Sequence, residues 1–271
     1  MEETHYDKII SLGYRCSTAG IIKSLGLKTE SLPFDWLVSR LPIVEHCIQT
    51  KFSEFLNIEN YKTALGATNH YSSIYPSSRQ WICNESVCFN EYYENNDPNP
   101  DITTKYYLPR PINKEHDAYG FRLMMNHRNI RSNIQDQEYF ARCVERWNVA
   151  VTAKCLYLYI HPAIFYEEFA QIRTELIGEL RRAHWSITPN GDGIYIIPVK
   201  GIPENHTAKY VLEEQPDDMS NPRCRICVLW ANRDFIDAGE IFMGNCHVET
   251  YVVKDYLQKT VNNRRLLTNS A

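Results

Sequence analysis

No apolar run in this chain approaches the roughly 20 residues that span a bilayer. The amino end, MEETHYDKII, is acidic and lacks the basic-then-apolar order of a secretory signal. A cytoplasmic protein with no membrane partner is therefore expected. Positive charge is also scarce: 29 lysines and arginines stand against 33 acidic residues, a formal net charge of -4, which leaves no electrostatic footprint for nucleic acid. Internal repeats are missing. So is a phosphate loop, because the NGDG at 190–193 precedes a strand rather than opening a helix and reads as a turn.

What remains is ordinary in bulk. The 271 residues are 44% hydrophobic and 23% charged, enough for a full core. Nine cysteines are odd in number and scattered, which without a secretion signal argues for reduced thiols rather than a disulfide framework. Cys224 and Cys227, with Cys246 and His247 downstream, raise a zinc site. The first pair lies in a predicted strand, however, where side chains three apart face opposite ways, so buried thiols are the better reading and no metal or cofactor is expected. The 18 tyrosines, several alternating with leucine in YLYI, suit a sheet interior.

The chain divides into unlike halves. In the first, a strand is expected at Lys8–Leu12 and a helix from Cys16 to Leu25, stopped by Gly26. Pro33 and Pro42 then punctuate the approach to two short helical stretches. From Gly66 to Lys114 the pattern dissolves into polar, Asn- and Pro-rich sequence, read as a long irregular insertion with at most a hairpin. YGFRLMMNH suits a strand ending at His127.

Periodicity is clearest in the second half. Phe140, Cys143, Val144, Trp147, Ala150 and Val151 fall at helical spacing within 135–153, and Phe165, Phe169, Ile172, Leu176 and Leu180 do so in the next helix. Strands at 154–160, 194–198 and 226–230 alternate with them, before a last helix in VETYVVKDYLQKT. This βαβ order predicts a single α/β domain over 1–271, with a mostly parallel sheet flanked by helices, 8–12 being a fourth parallel strand, and an insertion at about 66–114. Ligands of such sheets gather at the carboxyl ends of the strands.

One chemical candidate stands at such an end. In ISLGYRCS a strand runs through Gly13 into a helix that opens at Cys16, and a first-turn side chain faces unpaired N–H groups and the positive end of the helix dipole, which favour thiolate. A buried structural cysteine is the alternative.

The segment SLGYRCSTAGIIKSLGLKTESLPFDWLVS resembles the signature of a papain-like cysteine peptidase family found in bacteria and large DNA viruses: S-L-G-x-x-C, a helix, then P-F-D-W, here Ser11, Leu12, Gly13, Cys16, Pro33, Phe34, Asp35 and Trp36. The likeness continues more weakly through FRLMMNH and RCVERWNVAVTAKCLYLYIH. It implies a papain-like α+β fold as the alternative architecture, Cys16 as nucleophile, His127 as its base and Asp35 as the aspartate. Arg128 and Asn129 stand where the family often carries an acidic residue, and no glutamine precedes Gln49 to hold an oxyanion. That role would fall to backbone N–H groups between Gly13 and Ser17, or to Arg15. Asp35 is otherwise the cap of a helix starting at Trp36, and His127 a satisfied strand-end histidine.

Two function classes follow. One is a cysteine-dependent hydrolase acting on a peptide or isopeptide bond, or an acyltransferase, since the strand–glycine–cysteine–helix opening also resembles the G-N-C-Q start of polysaccharide-biosynthesis acetyltransferases. The other is a non-catalytic binding protein that keeps the fold. The partner is a protein or a small acyl substrate.

Overall fold

The computed structural model describes residues 6–14, 16–65, 86–96, 123–125, 128–161, 164–188, 191–201, 210–216, 223–231 and 249–265. In chain order these form β1 (Lys8–Ser11), α1 (Cys16–Ser24), β2 (Leu37–Ser39), α2 (Leu41–Gln49), α3 (Ser53–Leu56), β3 (Tyr61–Leu65), β4 (Ser86–Asn90), α4 (Glu91–Asn95) and β5 (Leu123–Met125). The second half adds α5 (Ile134–Ala150), β6 (Cys155–Ile160), β7 (Ile164–Phe165), α6 (Tyr166–Ile187), β8 (Asp192–Lys200), β9 (Tyr210–Glu214), β10 (Cys224–Ala231) and α7 (Glu249–Arg265). No described helix is long and apolar enough to cross a membrane.

Sheet A has the order β1-β6-β8-β10-β9, with β7 beside β8. Its pairs β1–β6, β6–β8, β7–β8 and β8–β10 are parallel, and only β9 runs antiparallel, against β10. The four strands expected to share one parallel sheet do so. Their near-continuous apolar composition is what burial on both faces demands, and all six residues of β6 are buried. On one face Ile21 and Ile22 of α1 and Val253, Leu257 and Val261 of α7 cover Leu156, Leu158, Ile194, Ile196 and Leu229. On the other, α5 and α6 press Trp147, Phe169 and Leu176 toward Tyr157, Tyr159, Tyr195 and Val228. The tyrosines are sheet interior, as their alternation suggested.

Helix α5 shows how local rules set an element. Asn133 caps it by accepting the Gln135 N–H at 2.9 Å, and the stripe Phe140, Cys143, Val144, Trp147 and Ala150 is buried. Val151 departs from that stripe. It sits at the C-cap, 36% exposed, because the helix ends one residue before it.

The second sheet is the main difference from expectation. Sheet B is antiparallel, in the order β2-β5-β4-β3, and its apolar side chains belong to the same core as those of sheet A: Leu37, Val38, Leu123 and Met125 cluster with Ile10, Leu12 and Tyr14. The fold thus combines a mostly parallel, helix-flanked layer with an antiparallel one. No helix starts at Trp36, where the chain turns into β2 instead. Nor is the polar stretch irregular throughout. Residues Ser86–Asn95 form β4 and α4, with Cys88, Asn90 and Tyr93 buried, whereas 66–85 and 97–122 lie outside the described residues.

The two sheets meet at Gly13. Tyr14 forms an antiparallel bridge with Ser39, whose N–H donates to the Tyr14 carbonyl at 3.0 Å and whose hydroxyl donates to the Leu12 carbonyl at 3.4 Å. Gly13 has φ +93°, and a Cβ there would overlap the Ser39 Oγ. Glycine is required on both counts.

Two outcomes are expected from this packing. Gly13→Ala should lower stability by about 2 kcal/mol or more, from positive-φ strain plus overlap, and adding Ser39→Ala should relieve only the overlap part; urea melts of the three variants measure this. The second concerns His184, which is buried with Nδ1 2.8 Å from the Thr188 hydroxyl and 3.2 Å from that of Tyr195. Burial pushes its pKa down to about 4, with Asp192 opposing and Arg223 adding to the effect. The unfolded chain therefore binds the proton first as pH falls from about 6.5, so stability should decline between there and pH 4, by about 3 kcal/mol in total. His184→Gln should flatten that decline in melts recorded across the range.

Candidate active site

Cys16 is the first residue of α1, at the carboxyl edge of sheet A where β1 ends. The turn that delivers it is braced from within. Thr18 Oγ1 donates to the Gly13 carbonyl at 2.6 Å, and Ser11 Oγ accepts the Gly13 N–H at 3.3 Å. The β1–β6 ladder continues past the strand, with the Ile160 N–H donating to Gly13 O and the Tyr14 N–H to Ile160 O, both at 3.3 Å. Two of the backbone donors considered for an oxyanion are thus already engaged, those of Gly13 and Tyr14. The first-turn amides of α1 have no partner within the helix itself, since a helix does not satisfy its first N–H groups internally. Arg15 lies outside the described residues.

Seven cysteines are described, none in a disulfide, and Cys16 alone among them is not buried. Burial pushes the Cys47 and Cys227 thiols up to about 12 and Cys155 to about 11, and it raises Cys88 and Cys143 as well. Those five stay protonated near neutrality and are poor nucleophiles. Cys224 and Cys227 join opposite faces of sheet A, the geometry that argued against a shared zinc ion.

Three members of the P-F-D-W run, Phe34, Asp35 and Trp36, have a visible structural task. Phe34 is fully buried and meets the rings of Phe52, Phe55 and Trp147 at centroid distances of 5.7, 6.2 and 5.5 Å. Trp36 lies under the Lys23 ammonium, 5.9 Å from the ring centroid, and so ties the run to α1. Asp35 is fully buried. Its Oδ2 accepts the Leu32 N–H at 2.6 Å and pairs with the Lys28 ammonium, while Asp35 N–H donates back to Leu32 O at 3.3 Å. Its Oδ1 has no hydrogen-bond partner among the described residues. Desolvation raises the Asp35 pKa, with the Lys28 charge and the Leu32 N–H pulling it back. Its described partners belong to the 28–35 turn, not to Cys16.

His127 lies outside the described residues. The strand that leads to it, β5, belongs to sheet B and runs antiparallel to β2 and β4. That strand is therefore not part of the parallel sheet that holds β1. A different histidine occupies the edge beside β1. His161 directly follows β6, its N–H donates to Ile196 O at 2.8 Å, and its side chain is 1% exposed with the ring against Tyr159, 6.4 Å between centroids. The signal for it was in the sequence, since KCLYLYIH is an apolar strand ending in histidine just as FRLMMNH is. Which of these runs neighbours β1 is set by the sheet pairing, not by either run alone.

The family described as "Putative papain-like cysteine peptidase" matches residues 7–174, from β1 through the first half of α6. An uncharacterized protein of Acanthamoeba polyphaga mimivirus is 39% identical over 62 residues, which are 22% of this chain and 28% of that protein. The chain therefore spans well under two thirds of that relative. No solved structure matches. With the β1–Cys16 joint, the P-F-D-W turn and both strands that end in histidine inside the matched span, the chain belongs to this papain-like cysteine peptidase family.

Proposed function

We propose that this protein is a cysteine-dependent hydrolase of acyl bonds, of the peptide or isopeptide kind, with Cys16 as its nucleophile. The observation that carries the proposal is the placement of Cys16: it is the half-buried thiol at a helix N-terminus on the carboxyl edge of a parallel sheet, while the other described thiols are sealed in the core. Donors at this helix N-terminus, where a helix does not satisfy its first N–H groups internally, suit the oxyanion of a tetrahedral intermediate. Attack on the acyl carbon gives a thioester and expels an amine, which takes a proton from a nearby imidazolium; water then releases the acid and restores the thiol. In this reading Asp35 holds the 28–35 turn through its Oδ2 contacts to Lys28 and Leu32.

p-Nitrophenyl acetate serves as the probe. A burst of nitrophenol with one acetyl group on Cys16, found by intact and peptide mass spectrometry, is expected, and Cys16→Ser should abolish it. Cys16 should also react with iodoacetamide near pH 7 at least about tenfold faster than the same thiol in the urea-unfolded chain. Equal rates would drop the enzyme in favour of the binding protein.

Asp35 and Lys28 separate structure from catalysis. Lys28→Met strands a buried carboxylate and should lower stability by about 3–5 kcal/mol. Asp35→Asn should lower the melting temperature while leaving the iodoacetamide rate at Cys16 within about twofold of the wild type. A large loss of Cys16 reactivity with an unchanged melting temperature would return Asp35 to the catalytic machinery.

A further inference from the structure

Among the ion pairs formed between described residues, one lysine–carboxylate pair is dry. Lys8–Glu30, Lys62–Glu91 and Lys259–Asp255 leave each partner at least 28% exposed, where water solvates both charges. Lys28 and Asp35 differ: their side chains are 8% and 0% exposed, and the Lys28 Nζ lies against the Asp35 Oδ2.

These surroundings favour uncharged forms. Leu32 and Phe34, on the same turn, are buried, and Cys143 of α5, also buried, is near enough for the Asp35 charge to raise its pKa. An ammonium and a carboxylate are costly to hold out of water, whereas moving one proton from Nζ to the carboxyl group leaves a neutral amine beside a neutral acid. Desolvation raises the Asp35 pKa, the direction that transfer needs, against the pull of the Lys28 charge and the Leu32 N–H. The two carboxyl oxygens are not equivalent. Oδ2 accepts the Leu32 N–H at 2.6 Å, while Oδ1 is buried without a hydrogen-bond partner among the described residues. The acid proton therefore belongs on Oδ1. The Leu32 N–H polarises the carbonyl at Oδ2 and stands where negative charge develops when an amine adds to Cγ.

We propose that Lys28 and Asp35 become joined by an isopeptide bond once the chain has folded. The Nζ lone pair forms the N–C bond to Cγ and pushes the carbonyl electrons onto Oδ2, held by the Leu32 N–H. The C–Oδ1 bond then breaks as the carbonyl re-forms, and Oδ1 leaves as water with its own proton and one from Nζ. An ammonium and a carboxylate are consumed, an amide and a water are produced, and no oxidant or cofactor takes part. Contact within the folded turn replaces a bimolecular encounter by an intramolecular one. The product removes both buried charges and keeps the Leu32 hydrogen bond. It closes the 28–35 turn covalently and does not depend on the role given to Cys16.

Peptide mapping of the folded wild type, with trypsin and tandem mass spectrometry, tests this. Trypsin does not cut at an acylated lysine, so residues Ser24 to Arg40 should appear as one peptide, uncut at Lys28 and lighter than its sequence by the mass of one water. It should give no fragment ions from breaks between residues 28 and 35. Lys28→Arg keeps the positive charge without the nucleophilic amine, and no water should be lost from this segment in that variant. Cleavage after Lys28 in the wild type, with both resulting peptides at full mass, overturns the proposal and leaves a plain ion pair. Water lost from Thr29 to Arg40 alone, with Lys28 cut, marks a cyclic imide at Asp35 and also overturns it, as does the same loss in Lys28→Arg. If Lys28→Arg does not fold, the wild-type map decides by itself.

Discussion

The contact between Gly13 and Ser39 is the constraint on which the rest of the molecule depends. It is a place where two backbones approach more closely than a Cβ permits, and it joins the last turn of a parallel sheet to the edge strand of an antiparallel one. Because β1 is pinned there, the chain must leave it through a turn at positive φ, and α1 starts at a fixed point above the sheet edge. The position of the Cys16 thiol is a consequence of that geometry. The contact also links the two motifs of the signature: Leu12, Gly13 and Tyr14 of the first meet Ser39, three residues past the P-F-D-W run.

Around this contact several buried polar groups hold turns together. Asp35 holds the turn before β2 through Leu32 and Lys28, and Asn90 holds the turn after β4 by accepting the Tyr92 N–H at 3.0 Å while its amide donates to the Glu54 carbonyl at 3.0 Å. His184 stays neutral between Thr188 and Tyr195 at the opposite edge of sheet A. Such groups look chemical in a sequence, because aspartates, asparagines and histidines carry catalysis elsewhere. Where such a group is buried with hydrogen-bond partners, it also holds the frame together.

Much of sheet A was legible because its elements announce themselves locally. The stripe of α5 follows the helical period, β6 and β10 are apolar throughout, and the crossover lengths between them allow only parallel pairing. Gly26, at φ +69°, ended α1 as expected. Sheet B was legible only in β5, which lies within the strand read in YGFRLMMNH, and the reason is physical. β2 is three residues long, too short for any period to show, and β4 turns Cys88 and Asn90 into the core while the more apolar Phe89 is only partly buried. A strand whose inward face is Cys and Asn reads as loop until its partners are known.

By itself, the sequence determined the parallel layer, the helices that cover it, the reduced state implied by scattered cysteines, and the joint at which Cys16 opens a helix. These are set by short-range rules of period, capping and glycine conformation that act within a few residues. Tertiary structure alone decided which strand lies beside β1, and so that His161 directly follows the strand paired with it. It also decided that Asp35 turns inward to Lys28, and that Tyr14 and Ser39 join two sheets. Each of these is a pairing between segments whose partners are chosen by mutual burial and hydrogen-bond satisfaction across the whole core, a choice that no local window of residues contains.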